Sequence, residues 1–244
     1  MRGRAGITLL ELLIAVTLLS VLSLAMMLSM RIGISALGRT NSKLMENRRV
    51  AGAQRILEQQ LEGLIPVAAP CGAQGRSSTE RYRMISGQPN TLTIVSTFSL
   101  QEASRGRPQV LQFFSAPANE GGGVRLLVNE VPYTGLPGIS QMCVGLDSPA
   151  ENGPKLPRFP PPSAGPGSFV LADHLSSVRF EYLAPAKKSG DPGVWTPVWS
   201  GPEWPFGIRI VMAPLEPSPA RLQPITVTAP IYINRNPMVQ YEDQ

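Results

Sequence analysis

From Leu12 to Met30 no residue carries a charge, and this run constrains the chain more than any other feature. Its polar side chains are Thr17, Ser20, Ser23 and Ser29, whose hydroxyls can turn back onto helix carbonyls. As an α-helix, the stretch from Ile7 to Met30 rises about 36 Å, enough to cross a hydrocarbon core of about 30 Å. Arg2 and Arg4 precede it with no acid between them. The excess of positive charge on that side places the N-terminus in the cytoplasm and the remainder of the chain across the membrane. The sequence SLAMMLSMRIG that closes the run has no small-x-small site of the kind a cleaved secretory signal carries. Hydropathy alone therefore describes an uncleaved signal anchor.

Glu11 does not fit a plain anchor. A carboxylate in the apolar part of a helix costs about 2.5–3.5 kcal/mol on insertion scales, so something must offset it. A chain break between Gly6 and Ile7 would create a free amine four residues before Glu11. With an ordinary pKa of about 7.7–8.0, that amine is largely cationic near neutrality. It could pair with Glu11 within one chain or between neighbours, and the positive end of the helix dipole would add to the effect.

These residues carry a specific resemblance. The sequence GITLLELLIA, after a short basic leader ending in Gly6, resembles the cleavage and methylation motif of type IV prepilins. The resemblance implies that prepilin peptidase cuts after Gly6 and methylates Ile7. It also implies that Glu11, fifth in the mature chain, helps recruit the subunit into a filament. Ile7 departs mildly from the usual Phe.

Beyond Arg31, Leu37, Leu44, Val50, Ala53, Leu57, Leu61 and Leu64 recur at helical spacing among charged residues. That is the pattern of a helix with one apolar stripe, here expected to dock on the protein's own sheet. Gly33 and Gly38 suggest a bend, and Pro66 ends the helix. Afterwards the signals are strands: 91–100, 109–116, 124–131, 176–184, 206–213 and 224–233, the last demoted to an edge by Pro230. In 176–184, Val178, Phe180 and Tyr182 share one face while Arg179 and Glu181 share the other. With 25 Pro in the chain, most of them in its second half, and 23 Gly, short antiparallel strands suit that half better than a helical bundle. The expected fold is α+β and pilin-like, a long N-terminal helix packed on an antiparallel, sandwich-like β body. Its parts are a leader (1–6), a membrane or filament-core helix (7–30), an amphipathic helix (31–65), a β-rich domain (66–235) and a disordered tail (236–244). The Pro/Gly-rich stretch 148–168 reads as a long exposed loop.

A second resemblance lies in the C-terminal third. Leu175, Val178, Tyr182–Leu183, Trp195, Trp199, Pro205 and Ile208–Ile210 are spaced as in the J-type minor pseudopilins of type II secretion. The helix segment NRRVAGAQRILEQQLEGL is also similar to that family. This implies a structural subunit at the tip of a periplasmic pseudopilus, anchored once in the bacterial inner membrane. Its implied partners are the I-, K- and H-type minor subunits and the major pseudopilin. A minor pilin of a type IV pilus, serving assembly, adhesion or DNA uptake, is the alternative, and an enzyme on a signal anchor is a third.

Catalytic and ligand-binding signals are weak, and the reading assigns no catalytic residue, metal or cofactor. His174 is the single histidine. Asp173 and Ser176 lie beside it in sequence, but neighbours in a strand do not form a triad. Two cysteines and one histidine lack zinc spacing, and Asp147, Glu151, Asp191, Glu242 and Asp243 do not compose a calcium loop. Residues 120–125 form a glycine-rich turn without a phosphate-loop lysine. The basic stretches 76–84 and 104–108 read as solvated loops rather than nucleic-acid contacts, because the net charge is only +5 and loss of the leader removes Arg2 and Arg4. Trp195, Trp199 and Trp204 read as sheet-face packing rather than an exposed aromatic patch. Cys71 and Cys143 form either one disulfide in an oxidising compartment or two buried thiols.

Overall fold

The computed structural model describes residues 8–72, 80–102, 104–118, 122–148, 153–185, 193–201, 203–215, 225–232 and 237; side chains of 38–50, 104 and 105 are outside the description. Gly6, Ile7 and the rest of the leader lie outside the described residues, as does the tail except Pro237. The chain divides into two compact units, Met1–Ala51 and Gly52–Gln244.

Helix α1 (Leu9–Glu62) runs through both units. The helix runs without interruption through Gly33 and Gly38. Glycine costs only about 1 kcal/mol in a helix interior, and the long apolar flanks absorb that. The helix ends at Glu62, a turn earlier than Pro66 suggests, because the next residues enter the sheet. Gly63 accepts from the Thr97 amide at 2.8 Å, the Ile65 amide donates to Val95 O at 2.8 Å, and Leu64 bridges Ser96. Only glycine fits at position 63, since a Cβ would stand 2.7 Å from Ser96 Oγ.

The second unit is built on β1 (Ala68–Ala69), β2 (Tyr82–Arg83), β3 (Ser86–Gly87), β4 (Thr91–Ser99), β5 (Ser104–Pro117) and β6 (Val124–Pro132). Then come helix α2 (Leu136–Met142), β7 (Gly145–Asp147), β8 (Leu156–Arg158), β9 (Phe169–Ala184), β10 (Val194–Thr196), β11 (Gly207–Pro214) and β12 (Ile225–Pro230). One eight-stranded antiparallel sheet takes the order β12-β11-β9-β6-β5-β4-β3, with β10 also on β9. Two ribbons, β1–β2 and β7–β8, accompany it. Pro230 ends an edge strand, as its missing donor requires.

The sheet curls because β9 changes partner along its length. Phe169–Leu175 pair with β6, Leu175–Leu183 pair with β11, and β10 joins at 182–184. His174, with φ 52°, lies at the changeover. The far edge then returns to β9: the Phe180 amide donates to Pro89 O, and the Trp199 amide to Gly87 O, both at 2.9 Å. The buried Tyr182 hydroxyl donates to Gln88 O at 3.1 Å. Gly87 is obligatory there, since a Cβ would lie 2.6 Å from the Tyr182 ring and 2.8 Å from Trp199 Cβ.

Inside the curl, Leu57 and Leu61 of α1 pack against Ile94, Leu111, Phe113, Leu126, Phe180, Ile208 and Val227. Ala53 is buried as well, so these members of the expected stripe do face the sheet. The alternation in β9 also holds: Val178, Phe180 and Tyr182 are buried, and Arg179 is exposed. A second apolar cluster covers the opposite face of β4 and β5, where Val95 and Val110 meet Val67, Met84, Ile139 of α2 and Phe159. Burial on both faces also encloses the polar side chains Thr93, Ser96 and Ser99 of β4. The 148–168 stretch is not simply an exposed loop. Among its described residues, β8 pairs with β7, Pro157 and Phe159 are buried, and Ser168 and Ser163 hydrogen-bond Asn129 of β6. A disulfide joins Cys71, just after β1, to Cys143 at the end of α2.

Candidate functional site

The N-terminal helix is the site the sequence singles out. Thr8 and Glu11 form a reciprocal cap at its start. The Thr8 amide and hydroxyl each donate to Glu11 Oε2 at 3.3 Å, and the Glu11 amide donates to Thr8 Oγ1 at 3.3 Å. This is the capping box that T-x-x-E encodes, satisfying donors that the first turn leaves without helical partners. The cap was not anticipated from the sequence, although its T-x-x-E spacing signals it. Glu11 thus meets an amide, a hydroxyl and the positive end of the helix on one side.

Leu9–Leu37 is long and apolar enough to span a membrane, and none of it is covered by the rest of the chain. At about 1.5 Å per residue these 29 residues rise about 43 Å. Within the span, Thr17 Oγ1 donates to Ile14 O at 2.9 Å and Ser20 Oγ to Val16 O at 2.8 Å. These hydroxyls are satisfied inside the helix, so they add no polar requirement on lipid or on a packed neighbour.

The other residues singled out in the sequence lie on strands, turns and the ribbon. Ser176 Oγ donates to Ala213 O at 3.3 Å, while the His174 carbonyl accepts from the Leu215 amide at 2.9 Å. These bonds tie the β9 changeover to the end of β11. Asp147 pairs with Arg158 across the β7–β8 ribbon at 3.3 Å. Among the described residues no group of three or more His, Cys, Asp or Glu side chains could hold a metal. Gly122 and Gly123, both at positive φ, make the β5–β6 turn. Trp199 and Trp204 are buried in the core, and Trp199 Nε1 donates to Glu203 O at 3.0 Å. Trp195 lies on the outer face beneath the Arg209 guanidinium, 4.2 Å from its ring centre, and Arg209 is ion-paired with Glu181. The residues of the C-terminal resemblance therefore gather on neighbouring strands: Leu175, Val178 and Tyr182 on β9, Trp195 on β10, and Ile208 and Ile210 on β11. Gln60 was not anticipated. Its side chain is fully buried and makes no hydrogen bond within the structure, and nothing in its helical spacing distinguishes it from an apolar position.

Comparison with protein families gives one match. Residues 1–27 match the prokaryotic N-terminal methylation motif. No curated protein matches the chain. The motif leads directly into the uncovered apolar helix, and together they form a prepilin-type signal of the kind type IV pilin-like proteins carry, with an antiparallel α+β body behind it. The motif implies processing by prepilin peptidase, a single membrane anchor and assembly with pilin-type partners.

Proposed function

We propose that this chain is a minor pseudopilin of a type II secretion system, a structural subunit at the tip of the periplasmic pseudopilus that exports folded proteins. The observation that carries the reading is the methylation motif leading directly into an apolar helix that the rest of the chain leaves bare. The J-type pattern on β9, β10 and β11 favours secretion over a pilus. The Cys71–Cys143 disulfide favours a body in the oxidising periplasm, with the N-terminus in the cytoplasm.

The mechanism is assembly without catalysis. Peptidase cuts after Gly6, and Ile7 becomes the methylated terminus. Glu11 is engaged by Thr8 within its own chain, and its remaining lone pairs stay open to the terminal amine of a neighbouring subunit. The apolar helix then exchanges lipid for the helices of the filament core, and the body meets I-, K- and H-type subunits.

Mass analysis of membrane-extracted protein should find a chain beginning at methyl-isoleucine 7, and Glu11→Leu should lower incorporation into filaments strongly. Mature protein still beginning at Met1 would remove the reading. Co-purification with I- and K-type subunits is expected, whereas recovery only with pilus subunits would transfer the chain to a type IV pilus.

A further inference from the structure

A cleft opens where β2, the segment entering β8 and the Trp199 turn meet. It holds about 340 Å³ including its open mouth. Arg81, Arg83 and Lys155 line it, with Pro157 and Trp199 supplying apolar walls. Arg81 and Arg83 belong to the basic stretch 76–84, and Lys155 to a segment some seventy residues later in the chain. The fold therefore gathers cations that the sequence keeps apart.

We propose that this cleft binds a carboxylate, presented as an acidic side chain of a partner polypeptide. Three properties select that ligand. The cleft is shallow and open, and its proline and tryptophan walls suit an aliphatic stem beneath a charged head. The Arg83 guanidinium is half-buried, and burial lowers its pKa despite the opposing field of Glu203. Such a guanidinium is already partly stripped of water, and a planar carboxylate restores its lost hydrogen bonds in pairs. The rim charge is also small. Glu203 acts on Arg83 and offsets part of the positive charge. The short basic rim suits a single carboxylate and lacks the continuous basic track that a phosphate strand needs. No described residue forms an ion pair with Arg81 or Lys155, and both are exposed, so both can turn toward an incoming anion. The proposal stands apart from the choice between secretion and pilus, since either filament brings foreign chains against this body.

The test uses the full chain in detergent micelles and a fluorescent short peptide bearing one glutamate, read by anisotropy. Its glutamine counterpart and a single-stranded oligonucleotide serve as competing probes. The glutamate peptide should bind at least about tenfold more tightly than the glutamine peptide, the scale of one charge-assisted contact. Lys155→Glu and Arg81→Glu, both at exposed positions, should each weaken it about tenfold. Arg179→Glu, on the outer face of β9, should leave it unchanged. Equal binding of the two peptides, no binding of either, or equal loss in all three variants would overturn the proposal. Tighter binding of the oligonucleotide, dependent on Arg81 and Lys155, would overturn it in favour of nucleic acid. None of these outcomes bears on where the mature chain begins, so this inference and the assembly reading fail separately.

Discussion

Tyr182 shows how one side chain can hold a curled sheet together. Its ring lies in the core, its hydroxyl donates to Gln88 O, and Gly87 passes directly over its face. Burial pushes the Tyr182 phenol well above its ordinary range. The folded state therefore prefers the neutral phenol. Its contribution is fully present below the unfolded pKa of about 10 and is lost as pH rises beyond it. Tyr82 acts in the same direction, with burial and the Glu80 carboxylate pushing its phenol up to about 12. Urea unfolding should accordingly show stability falling from about pH 10 upward. Tyr182→Phe should cost about 1 kcal/mol at pH 8 and make the alkaline decline shallower. Gly87→Ala should cost about 1–3 kcal/mol, because the added methyl would have to displace both the Tyr182 ring and Trp199. A urea midpoint equal to that of the parent would contradict this account of the seam.

The elements differ in how plainly the sequence announces them. Strands β4, β5, β6 and β11 and the later part of β9 are visible because apolar residues alternate or crowd where a face is buried. The first part of β9 is not, because Phe169, Val170, Asp173 and His174 are exposed and leave no inward pattern to read. Helix α2 is short and begins Leu-Pro-Gly, residues that signal a turn. Its place on the outside of β4 and β5 comes from contacts far apart in sequence, through Ile139 and the Cys71–Cys143 bridge. The basic cleft was hidden for the same reason, since its lining comes from three separated segments. At the N-terminus the prepilin-type signal is local and was legible, whereas the Thr8–Glu11 cap, equally local in its T-x-x-E spacing, was not anticipated. The disulfide closes a loop of 72 residues, worth about 4 kcal/mol on a chain-entropy account. Replacing both cysteines by serine should lower the unfolding free energy by about that amount. It should also open α2 and β1 to amide hydrogen exchange before β5 or β9. Uniform loss of protection across the sheet would show that the bridge does not act through this local patch.

At the scale of the molecule, one unit is made for an apolar environment and the other folds around its own core. With Leu9–Leu37 bare of any cover from the chain, the protein should stay with membranes through high salt and alkaline carbonate and leave only with detergent. Release by carbonate would contradict a spanning helix. The last turns of α1 carry a mechanical consequence. Gly63 and Leu64 are stitched to Thr97 and Ser96, and Ser96 Oγ also donates to Gln60 O at 2.7 Å. A pull along the helix is therefore delivered to β4, a strand paired with β5 along nearly its whole length. Any tension along the helix would enter the body at an interior strand and be shared by many bonds at once, which guards the sheet against unravelling from an edge.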